Sequence, residues 1–317
     1  MTHAKVIFPT TASRLPIGML LFSATLWGLS WWPLKAFAAQ GLSGLTLSLL
    51  SYGPVGLAGL YFVVRERAAW RADARGVLLL ALVGGYANVA FVSALMLGDV
   101  VRVMLLFYLS PVWSVLGGRI FLGEQFSRRR LLAVGLALAG LWLVIGGTEA
   151  FRSSLSLADW LALSAGLAFA GNNLISRATP AVPLRTKTGV VFLGGGLVSA
   201  ISVGWLGLTL PALTPGLTGA LLLYGFGWLL LAMAAWQYGV THLETGRAGV
   251  ILITELVVAV VSAALFGDAQ LLPHMWLGGL LIAAASVLEA TDPAGDGHTP
   301  VSGMPMEPAF PTRKESA

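Results

Sequence analysis

The sequence predicts an all-α integral membrane protein whose ten transmembrane helices form two inverted five-helix repeats. Three observations predict it. The chain is 57% hydrophobic and only 10% charged, with a mean hydropathy of +0.83. Its basic residues gather in alternate gaps between apolar runs, and an acid-x-x-Arg motif opens one helix in each half.

A hydrocarbon core about 30 Å thick is crossed by a helix of roughly 20 residues. Runs near that length occupy 16–37, 43–64, 77–97, 99–121, 131–148, 157–176, 188–210, 217–241, 244–267 and 275–290. The third and fourth are separated only by Gly98 and Asp99, which predicts a tight helical hairpin. In the first, Ala36, Phe37 and Ala38 resemble a signal-peptidase site. The length of that run, its Trp27, Trp31, Trp32, Pro33 and Lys35, and a counterpart later in the chain argue against cleavage. These runs predict a cytoplasmic tail at 1–15, a first repeat at 16–148, a connecting loop at 149–156 and a second repeat at 157–290. Residues 291–317, rich in Pro and Gly and without an apolar period, predict a disordered cytoplasmic tail.

An N-terminus placed inside, with alternation through ten spans, puts sixteen of the nineteen Lys and Arg residues on the cytoplasmic side and leaves Lys35, Arg102 and Arg152 outside. That asymmetry follows the positive-inside rule and predicts a multi-pass cytoplasmic-membrane protein with both termini inside. It also accounts for the net charge of +5 and the pI near 9.8 without a nucleic-acid partner.

The absence of cysteine excludes disulfides, thiolate metal sites and cysteine nucleophiles. His3, His242, His274 and His298 have no metal-ligand spacing. Gly194, Gly195 and Gly196 are followed by no Lys-Ser or Lys-Thr, so they predict a close helix contact and no phosphate loop. No cofactor, no metal and no ATP coupling is expected.

Arg247 lies 145 positions after Arg102 (247 − 102), and Glu244 lies 145 after Asp99 (244 − 99). At a shift of 144, "PVWSVLGGRIFLGE" (111–124) matches "ELVVAVVSAALFGD" (255–268), and Gly135 and Ala139 match Gly279 and Ala283. Upstream, Trp27 and Lys35 match Phe169 and Arg177 at a shift of 142. Five spans per half is an odd number, so the second half enters the bilayer upside down, an arrangement that places sites near the midplane between repeats. The small-xxx-small faces at Gly135 and Ala139 and at Gly279 and Ala283 predict helix packing or homodimerisation.

Two five-span repeats, a W-x7-K/R first helix and a fourth helix reading "LSPVWSVLGGRIFLGE" resemble the EamA-type carriers of the drug/metabolite transporter superfamily, over residues 16–290. The resemblance implies a non-enzymatic metabolite carrier, most often an exporter, in a superfamily that moves amino acids, sugars, nucleotide-sugars, purine metabolites and cationic drugs. One departure is Glu255-Leu256, where that family often has a proline, so the ninth helix is expected to be less kinked than the fourth.

Glu255 lies 11 residues past Glu244 (255 − 244), or roughly 16 Å into the core at 1.5 Å per residue. A carboxyl at that depth needs a partner, water or a proton, and ionisable residues there usually line a pathway. The functional reading is a protonatable coupling site; the structural one is a static ion pair or a bonded glutamic acid. Arg102, three residues past Asp99, either snorkels, pairs with Asp99, grips a substrate carboxylate or closes onto Glu255. Arg247 is read as topological, and Asp99 and Glu244 as helix caps.

Trp27 and Trp31, Tyr86, Asn88 and Phe91, Tyr108, Asn172 and Asn173, and Trp236 and Gln237 are candidates for lining a cavity. An amide inside a span needs a hydrogen-bond partner, whereas Trp32, Trp205 and Trp276 suit interfacial anchoring. The expected function is secondary export of a small polar metabolite, an amino acid as best guess, with protons as the coupling ion. The same fold also suits proton-coupled efflux of cationic drugs, in which Glu255 exchanges protons for the cation. An intramembrane enzyme is disfavoured because His242 and His274 lie 13 (255 − 242) and 19 (274 − 255) residues from Glu255. A non-transporting scaffold would tolerate replacement of every intramembrane polar residue. Expected partners are a small-molecule substrate, membrane lipid and at most a second copy of the chain.

Overall fold

The computed structural model describes residues 14–110, 112–113, 116–117, 120, 128–144, 155–242, 245–267 and 272–290, and no strand occurs among them. The tails 1–13 and 291–317, Glu244, Arg119 and most of the 111–124 motif lie outside the described residues, as does most of the loop 149–156.

The first span is broken into α1 (Arg14–Gly28) and α2 (Trp31–Ala39). Pro33 has no N–H for the Leu29 carbonyl and crowds it, and the helix is interrupted at Leu29 and Ser30. A capping box of Ser43 and Thr46 starts α3 (Gly44–Arg65), satisfying two amide donors that the first turn leaves free. After the short α4 (Arg67–Trp70), the third span is α5 (Ala74–Leu79), a π-helical turn at Leu80–Gly84 and α6 (Gly85–Leu97). Two residues later α7 (Val100–Phe107) begins, so the predicted hairpin is present, and the Asp99 carboxylate caps it by accepting the Arg102 N–H.

The fourth and ninth spans differ. α7 ends at Phe107 with Tyr108 as its C-cap, and Pro111 lies outside the described residues. The ninth span, α13 (Thr245–Phe266), runs 22 residues unbroken through Glu255. Between them come α8 (Arg128–Val144), α9 (Leu157–Ala178), α10 (Leu184–Trp205), α11 (Pro215–Leu222) and α12 (Leu230–His242); α14 (Pro273–Ala290) closes the described chain. A second π-helical turn, Leu223–Leu229, joins α11 to α12. Its first residue lies 143 positions after the first residue of the other π turn (223 − 80).

Five stretches among the described residues are long and apolar enough to cross a membrane: Leu15–Ala39, Gly44–Arg65, Arg67–Leu97, Leu184–Trp205 and Pro215–Trp236. Shorter apolar helices cover Leu131–Leu143, Thr254–Phe266 and Pro273–Ala285. The chain is a multi-pass membrane protein.

Helices pack in a reciprocal scheme. α3 lies on α10 and α8 on α14; α6 and its π turn lie on α9, while α1 lies on α12; α1 also meets α13, while α9 meets α7. Apolar burial cannot drive association within lipid, where hydrocarbon is the solvent, so close backbone approach carries more of the contact. The predicted close contact at Gly194–Gly196 is that kind of surface. A Cβ on Gly194 would overlap the Ala81 carbonyl, and one on Gly196 would come within 3.0 Å of Gly53. Along the same α3–α10 seam, a Cβ on Gly56 would sit 2.6 Å from the Leu193 backbone and one on Gly59 2.8 Å from Gly189.

Of the two expectations for the small-residue face of α8, packing within the chain does not occur at Gly135 and Ala139. Gly135 and Ala139 are exposed, and a Cβ on Gly135 would meet nothing within 4 Å. Contact with α14 is made by Gly140, whose Cβ would fall 2.7 Å from the Gly278 carbonyl, and by buried Ala133 and Ala137 near Ala285. The register of the stripe is therefore set by the α14 surface, which a 144-residue shift alone does not reveal.

Candidate functional site

The helix breaks place the site. Where α7 stops, Tyr108 turns toward α13, and its hydroxyl shares a hydrogen bond with the Glu255 carboxyl. Glu255 is 8% exposed, so this carboxyl is held inside the bundle between the fourth and ninth spans. The break in α1 serves the same region. Gly28 brings α1 flush against α13, for a Cβ there would lie 2.7 Å from the Glu255 carbonyl. Two turns farther along α13, Ser262 accepts a 2.9 Å hydrogen bond from the Trp31 indole N–H. The Trp228 indole donates to Ser30 at 3.2 Å, and Ser23 donates to the Ala232 carbonyl at 2.9 Å, tying the first span to the eighth.

Beside the carboxyl runs a connected set of rings. Phe91 of α6 meets Phe107 of α7 at a 4.5 Å centroid distance, Phe107 meets Phe169 of α9 at 5.4 Å, and Phe169 meets Trp236 of α12 edge-on at 6.3 Å. Phe107 also abuts Tyr108 at 6.0 Å. Four spans thus supply one aromatic wall, with Glu255 joined to it through Tyr108. Phe107 and Phe169 were absent from the sequence candidates, because an apolar ring in an apolar helix carries no signal until its neighbours are known. Gly166, one turn before Phe169, lets the Phe107 carbonyl approach α9: a Cβ there would be 2.7 Å from that oxygen.

The other candidates are placed elsewhere. Tyr86 is 38% exposed and hydrogen-bonds Ser164 at 2.9 Å. Asn88 donates to the Gly84 carbonyl at 2.8 Å, satisfying the end of the π turn, and Asn172 lies over the same Gly84. These three belong to the seam between the third and sixth spans. Trp27 packs against the main core, Trp31 is almost fully buried, and Asn173 is partly buried on α9. The side chain of Gln237 is not among those described.

Arg102 has a partner that the sequence reading did not weigh. Its guanidinium clasps Asp159, Nε to Oδ1 at 2.7 Å and Nη2 to Oδ2 at 3.1 Å, a bidentate geometry that a planar fork favours. Neither the pairing with Asp99 nor closure onto Glu255 occurs; Asp99 is engaged through the Arg102 backbone instead. Asp159 is 4% exposed and belongs to a capping box with Ser156 at the start of α9. Among the described residues, no group of three or more His, Cys, Asp and Glu side chains is placed to hold a metal.

Residues 14–146 match the profile of the EamA-like transporter family. No curated protein matches the chain. Solved structures do, one of them over 86% of this chain and 95% of its own at a TM-score of 0.56 and 18% identity, a likeness of fold.

Proposed function

We propose a secondary carrier of the cytoplasmic membrane, on the match of residues 14–146 to the EamA-like transporter family, whose members are membrane transporters of the drug/metabolite type. It exports a small polar metabolite, with amino acids the leading cargo, by alternating access between two inverted five-helix halves. Glu255 is the coupling or substrate-sensing carboxyl.

The observation that carries this reading is the Glu255–Tyr108 pair, a buried carboxyl held between the fourth and ninth spans beside an aromatic wall drawn from both halves. A titratable group there binds either a proton or the ammonium group of a substrate, which is the exchange that coupling needs. The inverted arrangement is supported by sequence shifts of 142 to 145, by two π turns 143 residues apart, and by a packing scheme that maps onto itself when the halves are exchanged. Inside placement of both termini is supported by the charge asymmetry of the loops.

Efflux of labelled amino acids and cationic dyes from proteoliposomes, with and without a pH gradient, tests the reading. Wild-type flux of a defined cargo should respond to the gradient, and Glu255→Gln should lose that response. Gradient-independent flux untouched by the substitution would make Glu255 a structural residue.

A second reading, efflux of cationic drugs, is favoured by the engagement of Arg102 with Asp159, which leaves that guanidinium committed away from a substrate carboxylate. Saturable dye flux with no amino-acid flux would select it.

A further inference from the structure

We infer that Arg102 and Asp159 are the outer gate of this carrier, a latch that must part for cargo to leave. The inference rests on the alternating-access reading above and adds to it the residues that close one side.

The ends of four spans meet at this latch. Lys35, near the end of the first span, donates to the carbonyls of Gly98 at 3.0 Å and Met96 at 3.4 Å, which terminate the third. Asp99 caps the fourth, and one turn in, Arg102 clasps Asp159 at the start of the sixth. Both partners are held ready for the clasp. Asp159 Oδ2 also accepts the Ser156 N–H at 2.9 Å, and the Asp159 N–H donates to Ser156 Oγ at 3.2 Å. Gly98 sits flush against this start of α9, since a Cβ there would be 2.7 Å from the Ala158 methyl.

Lys35, Met96, Gly98 and Arg102 come from the first half, Ala158 and Asp159 from the second, and Ser156 ends the loop between them, so rocking the halves apart at this end separates the guanidinium from the carboxylate. Beneath the clasp the chain is sealed: Val103 and Leu106 are 0% exposed. The loops after the third and fifth spans lie outside by the charge argument, which makes this the outer face.

The repeat relation does not carry the device to the opposite face. The repeat shift carries Arg102 to Arg247 (102 + 145) and Asp159 to Ile17 (159 − 142). The first 65 residues contain no Asp or Glu at all, so neither of the first two spans offers Arg247 a carboxylate. Glu66, the first acid in the chain, receives the Thr186 hydroxyl at 2.6 Å. The repeat therefore does not duplicate this ion pair at the opposite end. The resting carrier is closed outward and loads from the cytoplasm, the sense that export requires.

Because the chain has no cysteine, one reporter reads the gate directly. Val103→Cys is placed in the full-length protein and exposed to a membrane-impermeant maleimide from outside intact cells. Labelling should be slow with the latch intact and at least about ten-fold faster with Arg102→Ala or Asp159→Asn, the latter keeping an oxygen for the helix cap. The exchanged pair Arg102→Asp with Asp159→Arg should restore slow labelling. Equal rates in all backgrounds would overturn the gate, whether or not the protein transports.

A second measurement does not depend on those variants. Arg102→Cys with Asp159→Cys, bridged by a short membrane-impermeant bis-methanethiosulfonate, should stop efflux of the amino-acid or dye panel, and reduction should release it. Undiminished efflux after complete crosslinking would overturn the gate while leaving the carrier intact. Absence of wild-type efflux for every probe, with the labelling differences present, would remove the transport reading and leave a structural seal.

Discussion

At the scale of single residues, polar groups in the spans are decided by partners more than by depth. Trp31 looks like a cavity-lining aromatic in the sequence, yet its indole is nearly buried and spends its one donor on Ser262. Trp31→Phe and Ser262→Ala should each lower thermal stability in detergent by about 1 kcal/mol, the net worth of one hydrogen bond. The double variant should cost less than the sum. Strict additivity in that cycle would show that the two side chains do not interact. Glu255 and Arg102, both read from the sequence as costly charges, prove to have unlike surroundings: one meets a phenol from the other half, the other a carboxylate. Depth alone flagged both, but neither Tyr108 nor Asp159 can be paired with them from spacing, because the contacts join positions 147 (255 − 108) and 57 (159 − 102) residues apart.

At the scale of helices, the breaks are more legible than the contacts. Pro33 accounts for the interruption of the first span, while the ninth, without a proline, runs continuously. The π turns at Leu80–Gly84 and Leu223–Leu229 have no such signal; they reflect packing that shifts a helix by a residue to fit its neighbour. The glycines of α10 were read correctly as a contact surface because no other residue permits backbones to touch. Gly194→Leu should therefore be among the most disruptive changes outside the site. It forces a side chain into the Ala81 carbonyl, where overpacking costs about 1–3 kcal/mol or more. Thermal denaturation and the yield of monodisperse protein check this, and a variant as stable as wild type would mean that the Leu80–Gly84 turn and α10 are not apposed as described.

At the scale of the molecule, the multi-pass membrane character is legible in composition, while the site is not, and the sidedness expected from charge makes its own prediction. Topology reporters fused after Gly98 should read outside and those fused after Arg71 should read inside; the reverse pattern would turn the gate toward the cytoplasm and defeat the export argument. The aromatic wall gathers Phe91, Phe107, Phe169 and Trp236 from four spans, and no local period announces such a set.

The α3–α10 seam has a mechanical consequence. Interlocked side chains resist turning, because ridges on one helix must climb out of grooves on the other. Where Gly56 and Gly59 meet Leu193 and Gly189, and Gly196 meets Gly53, smooth backbone faces smooth backbone. For halves that tilt against each other, this contact is a bearing: the chain keeps its closest approach at an axle that turns with few rotamers to change, and the resistance to motion is concentrated at the rim.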